Sequence, residues 1–105
     1  MKKTKKAKLE ANGWRVGSAK EFLGLSDEEM RVIDVKIKLV QLHRKQRMKK
    51  GLTQHALAEK IHTSQSRIAK LEQGKRNIST DLILKSLYAM GTPSELIAES
   101  FTNAD

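Results

Sequence analysis

An all-α domain of five or six short helices is the fold class this sequence predicts, and three observations predict it. Helix start and stop signals follow one another along the chain, Ser or Thr at candidate N-caps and Gly at candidate ends. The only proline, Pro93, stands where a helix can begin. Strand patterning is confined to Val35-Lys-Ile-Lys-Leu39, which alternates and is rich in β-branched residues. That stretch also belongs to a helical stripe, Met30, Ile33, Ile37 and Val40, spaced 3, 4 and 3. Cap signals flank it on both sides, so helix is the expectation there.

The elements follow in order. Lys2 to Lys8 is a lysine-rich tract with one apolar residue, which reads as a mobile tail serving solubility or phosphate contact. Asn12-Gly13 marks a turn. Ser18-Ala-Lys-Glu21 is a capping box opening a short helix that Gly24 ends. Ser26-Asp-Glu-Glu29 is a second box, with three acids to complement the helix dipole. Basic residues from Arg44 to Lys50 lie at its other end and Gly51 follows, which predicts a helix over roughly 27–50. Thr53 then caps a helix over about 54–61, and His62-Thr63 is a break. Ser64 to Gln73 forms the next helix, stopped by Gly74. After the loop Lys75 to Ser79, Ser79 or Thr80 caps a helix running to Met90 and stopped by Gly91. Thr92 caps a last helix, with Pro93 at its first position. No internal repeat is visible.

The chain has 105 residues, enough for one small domain. Hydrophobic residues make up 38% and charged residues 31%, a balance suited to folding. The absence of Cys excludes a disulfide scaffold, a Cys-ligated zinc site and an iron–sulfur cluster, and it fits a reducing, cytoplasmic setting. No apolar run approaches about 18 residues, so no transmembrane helix is expected. The N-terminal lysines have no apolar stretch behind them, so neither is a secretory signal. Lys and Arg number 21 against 12 Asp and Glu, a formal charge of +9. Residues 35–76 hold twelve basic residues against Glu59 and Glu72, net +10, more than the whole chain's excess. Such a block points to an anionic partner, with nucleic acid the first candidate.

Two short helices joined by a three- or four-residue break have the geometry of a helix-turn-helix. Over residues 54–73, Leu57, Ile61, Ile68 and Leu71 can pack inward, and Ala58 stands where the helices cross. The second helix turns Gln65, Ser66, Ala69 and Lys70 outward on one strip. Small and amide side chains suit a major groove: Gln can pair with adenine, Lys can donate to guanine, and Ala69 can meet a thymine methyl.

Gly51-Leu-Thr-Gln54, Leu57-Ala58-Glu59-Lys60, Ser64-Gln65-Ser66 and Leu71-Glu72-Gln-Gly74-Lys75 together resemble the Xre-type family of Cro and phage-repressor helix-turn-helix proteins, over about residues 38–91. The resemblance implies a lambda-repressor-like fold with an N-terminal extension. It implies that Gln65, Ser66 and Lys70 face bases, and that Gln54, Ser64, Lys75, Arg76 and Asn77 lie on phosphate. Two positions depart from the family pattern. His62 stands where Gly is usual, at a residue that often takes the left-handed conformation, and Thr63 replaces a larger hydrophobe.

Gly13-Trp14-x-Val16-Gly17-x-Ala19-x-Glu21-Phe22-Leu23-Gly24-Leu25-Ser26, followed by an acidic helix start, is similar to the short HigA-like antitoxins of toxin–antitoxin operons. In that family the toxin is a small RelE/HigB-type messenger-RNA endonuclease. The antitoxin neutralises it and represses the shared promoter. Residues 1–25 would then be a basic tail and short helix serving as the toxin-binding element, anchored by Trp14 and Phe22, and residues 26–105 the DNA-binding domain. Trp14 also has a plainer reading, docking on its own domain. Leu82, Ile83, Leu84, Leu87 and Met90 read as core. Leu96, Ile97 and Phe101 are core or, since repressors of this type pair, the contact of a homodimer.

The remaining residues favour no catalyst. His55 and His62 are seven apart, on different helices or in the turn, with no carboxylate at ligand spacing to both, so these two and His43 read as surface or turn residues and no metal or cofactor is expected. No catalytic constellation or phosphate-binding Gly-rich loop emerges, so an enzyme is not expected. Two alternatives stand beside the antitoxin: a stand-alone Xre-type or phage-type regulator without a toxin and, more remotely, a basic RNA-binding protein. Four aromatic residues supply few stacking platforms for the latter.

Overall fold

The computed structural model describes residues 23–75 and 77–102. Five helices and no strand lie among them: α1 Asp27–Lys49, α2 Gln54–Lys60, α3 Gln65–Glu72, α4 Thr80–Ala89 and α5 Ser94–Glu99. Val35 to Leu39 is therefore helical. The helix expected from Ser18, together with Trp14, Phe22 and Arg76, lies outside the described residues.

The chain divides into two compact units, Met1–Asp34 with Asn103–Asp105, and Val35–Thr102. In the first unit the start of α1 is fixed by the predicted capping box. Glu29 N donates to Ser26 Oγ at 3.1 Å, and Ser26 N donates to Glu29 Oε1 at 3.0 Å. Asp27, Glu28 and Glu29 occupy the electropositive first turn.

In the second unit, Leu39 and Val40 of α1 pack with Leu57, Ala58 and Ile61, with Ile68 and Leu71 of α3, with Ile83 and Leu87 of α4, and with Ile97 of α5. The buried stripe of α1 is Leu39, Val40, His43 and Gln46. Of the stripe expected from the sequence only Val40 is buried; Met30, Ile33 and Ile37 are half-buried. The interior contacted by α1 is that of α2 to α5; Val35 packs at its edge and the helix is buried from Leu39 onward. Ile83, Leu87 and Met90 are buried as expected, with Leu82 and Leu84 packed at the edge.

Four helices end by the same closure. Past α1, Leu52 N reaches back to Arg47 O at 3.1 Å around Gly51, whose φ is +69°. The pairs Lys75 N to Lys70 O and Thr92 N to Leu87 O repeat it after α3 and α4. After α2 the pair is Thr63 N to Ala58 O at 2.9 Å, and the residue in the left-handed conformation is His62, at φ +58°. This bond type draws the chain sharply out of α2 and sets the entry into α3.

Ser79, not Thr80, caps α4, accepting from Leu82 N at 3.1 Å. The expected cap of the last helix is corrected. Pro93 occupies the cap position of α5 with ψ 140° and makes no side-chain bond, while the hydroxyl of Thr92 is buried without a hydrogen-bond partner. The backbone of Thr92 is committed to closing α4, which turns its side chain inward. Beyond α5, Lys38 Nζ donates to Thr102 O at 3.0 Å, tying the described C-terminal end to α1.

Candidate nucleic-acid interface

The site is built around α3. Ser64 caps it, its Oγ accepting from Arg67 N at 3.2 Å. A hydroxyl that accepts still has its own proton to donate, so Ser64 keeps a donor for an outside oxygen. Ile68 and Leu71 are fully buried and pin the helix to the core, and Ala58, 2% exposed, lets α2 and α3 approach. The opposite side is open: Gln65, Ser66 and Lys70 are exposed and Ala69 is half-buried. Lys75 and Asn77 are exposed just past the helix. The structure thus gathers Gln65, Ser66 and Lys70 on the outer side of one helix, with Ser64 at its start and Lys75 beyond its end. Arg67 is exposed on the same helix and was not singled out by sequence reasoning. Its signal was membership of the +10 block immediately after Ser66.

Gln54 opens α2 and is half-buried. Its Nε2 donates to Glu72 Oε1 at 3.3 Å. Glu72 lies at the end of α3 with its side chain 5% exposed, and it gathers three further bonds. Arg47 donates from Nη2 to Oε1 at 2.9 Å and from Nε to Oε2 at 2.7 Å, a two-pronged pair. His43 Nδ1 lies 2.9 Å from Oε2. Burial alone would raise the Glu72 carboxyl. The hydrogen bonds from His43, Arg47 and Gln54, with the charge of Arg47, outweigh it and hold the group down at about 2. Arg47 is raised above its ordinary value, first by its bond to Glu72. Its Nη1 also donates to Leu52 O at 2.8 Å, fixing the loop into α2.

One expectation is overturned here. His43 is not a surface residue; it is fully buried on α1. An ionised Glu72 can only accept, so Nδ1 carries the proton, and Nε2 is left without a partner. The partner that makes this burial tolerable comes from another helix. His55 pairs with Glu59 on the exposed side of α2, and His62 is exposed in the turn. Among the described residues no three His, Cys, Asp or Glu side chains come together as a metal site, and no helix is long and apolar enough to cross a membrane.

The three residues expected at a dimer contact separate. Ile97 is 5% exposed and belongs to the core, so it is not offered to a partner. Leu96 is half-buried. Phe101, 48% exposed, lies past the end of α5 rather than on it.

No curated protein and no solved structure matches this chain. A family model described as helix-turn-helix matches residues 44–96, half of the chain, from the last turns of α1 into α5. That span contains the capped α2–turn–α3 pair, its exposed strip and the node at Glu72; the chain belongs to the Xre/lambda-repressor-type helix-turn-helix family and is a DNA-binding transcription regulator.

Proposed function

We propose that the chain is a sequence-specific repressor that lays α3 in the major groove and works without catalysis in the cytoplasm. The observation carrying this is the exposed strip Gln65, Ser66 and Lys70 on a helix whose other side is anchored by Ile68 and Leu71. The strip reads base edges. Gln54, Ser64, Lys75, Arg76 and Asn77 hold phosphate, which positions the protein without selecting sequence. The acting form is a homodimer paired through Phe101 and Leu96, on half-sites about one helical turn apart.

The test compares an operator selected from a random DNA pool with unselected duplex. Lys70→Ala or Gln65→Ala costs roughly 1–3 kcal/mol on the operator and little on unselected DNA. Lys75→Ala and Arg76→Ala weaken both alike. Equal losses on both DNAs for Lys70→Ala and Gln65→Ala would remove them from readout. Preference for single-stranded RNA over any duplex would favour an RNA-binding protein instead.

The finer role is that of an antitoxin, which neutralises a RelE/HigB-type toxin through Trp14 and Phe22 and represses the shared operon. The segment from Gly13 to Ser26 supports this by its likeness to HigA-like antitoxins. Capture of the neighbouring gene's product by the full chain, and its loss in Trp14→Ala and in a chain starting at Ser26, is the expected result. Where no such gene adjoins, the stand-alone regulator is the reading that holds.

A further inference from the structure

We propose that His43 is a positioning residue which, acting through Glu72, aims the Gln54 amide at a DNA phosphate. This rests on the reading of Gln54 as a phosphate contact. A carboxylate offers about four acceptor sites. In Glu72 four donors fill them: Arg47 Nη2 and Gln54 Nε2 on Oε1, Arg47 Nε and His43 Nδ1 on Oε2. Arg47, 14% exposed, sets the plane of the carboxylate with its fork, and its Nη1 is itself tied to Leu52 O. His43 is a fully buried ring on the buried stripe of α1, and its bond fixes Oε2 from within the core. With Oε2 fixed, Oε1 is held toward α2, where it takes one of the two amide protons of Gln54. The second proton is left for an outside acceptor, on a side chain no longer free to rotate.

The burial of His43 argues for a role beyond filling space. Its Nε2 is buried with no hydrogen-bond partner. A leucine would fill much of the same volume with no orphaned nitrogen. What a leucine could not supply is the donor to Glu72.

The contact is to the backbone, so a random-sequence duplex is a sufficient probe. Anisotropy titrations compare the wild-type chain with His43→Leu, His43→Asn, Gln54→Ala and the double variant His43→Leu/Gln54→Ala. His43→Leu should weaken binding roughly tenfold, the cost of ordering a free Gln side chain on the DNA. The salt dependence should be unchanged, because a neutral amide displaces no counterion. Gln54→Ala should lose at least as much, and the double variant no more than Gln54→Ala. His43→Asn should restore binding, since Asn Nδ2 takes the place of the ring Nδ1. A loss of equal size with and without Gln54, or a flattened salt dependence, means general loosening of the domain and overturns the proposal. A second measurement needs no DNA. The two side-chain amide proton signals of Gln54 should be spread apart in the wild type and in His43→Asn, and collapse to free-glutamine positions in His43→Leu. Unchanged signals in His43→Leu overturn the proposal. A wild-type chain that binds no duplex overturns the reading beneath it, and the amide signals tell that failure from a failure of His43.

Discussion

The two sides of α3 are held to different rules. Its inner side presents Ile68 and Leu71 to hydrocarbon and Glu72 to Arg47, His43 and Gln54. Its outer side presents Gln65, Ser66 and Lys70 to solvent. Inner residues are constrained by what they touch within the protein, so changes there cost stability. Outer residues touch nothing that folding needs, so changes there are expected to alter DNA affinity alone. The contrast teaches that a recognition helix can vary its reading side freely only because the other side is fixed twice, by packing and by directed bonds.

Five measurements break or sharpen that contrast. Glu72→Ala leaves the Arg47 charge and the His43 ring without their partner, and should cost about 3–5 kcal/mol in urea unfolding. Leu71→Ala empties a fully buried site and should cost about 2–5 kcal/mol. A loss below about 1 kcal/mol in either would show that α3 is held elsewhere. Acid acts on the same node. The folded Glu72 carboxyl sits at about 2, below its ordinary 4.5, so its contribution is complete above about pH 4.5 and fades as pH falls toward about 2. The full span is worth roughly 3 kcal/mol, and Glu72→Ala should lack this part of the acid limb. His62→Gly should stabilise by about 1 kcal/mol, because the left-handed conformation at φ +58° is free for Gly and not for His. Ser66→Ala should shift stability by less than about 0.5 kcal/mol. A larger shift would mean that the outer side takes part in folding.

The sequence carried the helices well and the node badly, for a physical reason. Caps and Gly closures act over three to six residues, so Thr53, Ser64, Ser79, Gly51, Gly74 and Gly91 announce themselves locally. The left-handed turn at His62 was expected only through the family resemblance, which places Gly there. Apolar spacing likewise placed Leu57, Ile61, Ile68 and Leu71 inside. The bonds on Glu72 span 29, 25 and 18 residues, and nothing near an Arg, His or Gln marks such a partner. His43 was therefore misplaced at the surface, although Glu72 stood within the motif that carried the resemblance. Thr92 failed similarly, and Ile97 took the first of its two readings, core rather than interface. Local pattern allowed a cap at Thr92 and left Ile97 open between core and interface, and tertiary packing drew both inward. The outer strip of α3 was legible because it is what remains once the apolar residues are assigned. Which bases it meets is not written in the helix; that depends on the DNA.

The four-donor carboxylate has a consequence for how this domain can change over generations of substitution. Hydrocarbon contacts are non-directional, so a Leu-for-Ile exchange in the core can be absorbed by small shifts of its neighbours. Positions 43, 47, 54 and 72 have no such freedom, because each satisfies another's polar atoms. Removing Glu72 alone strands a cation and an imidazole. Replacing His43, Arg47 and Glu72 together with apolar residues of like volume strands no charge, leaving only the Leu52 carbonyl and the Gln54 amide to find other partners, and costs less than the sum of the single steps. These residues therefore behave as one inherited unit, whose parts are each harmful to lose singly, while the residues on the outer side of the same helix can be exchanged one at a time.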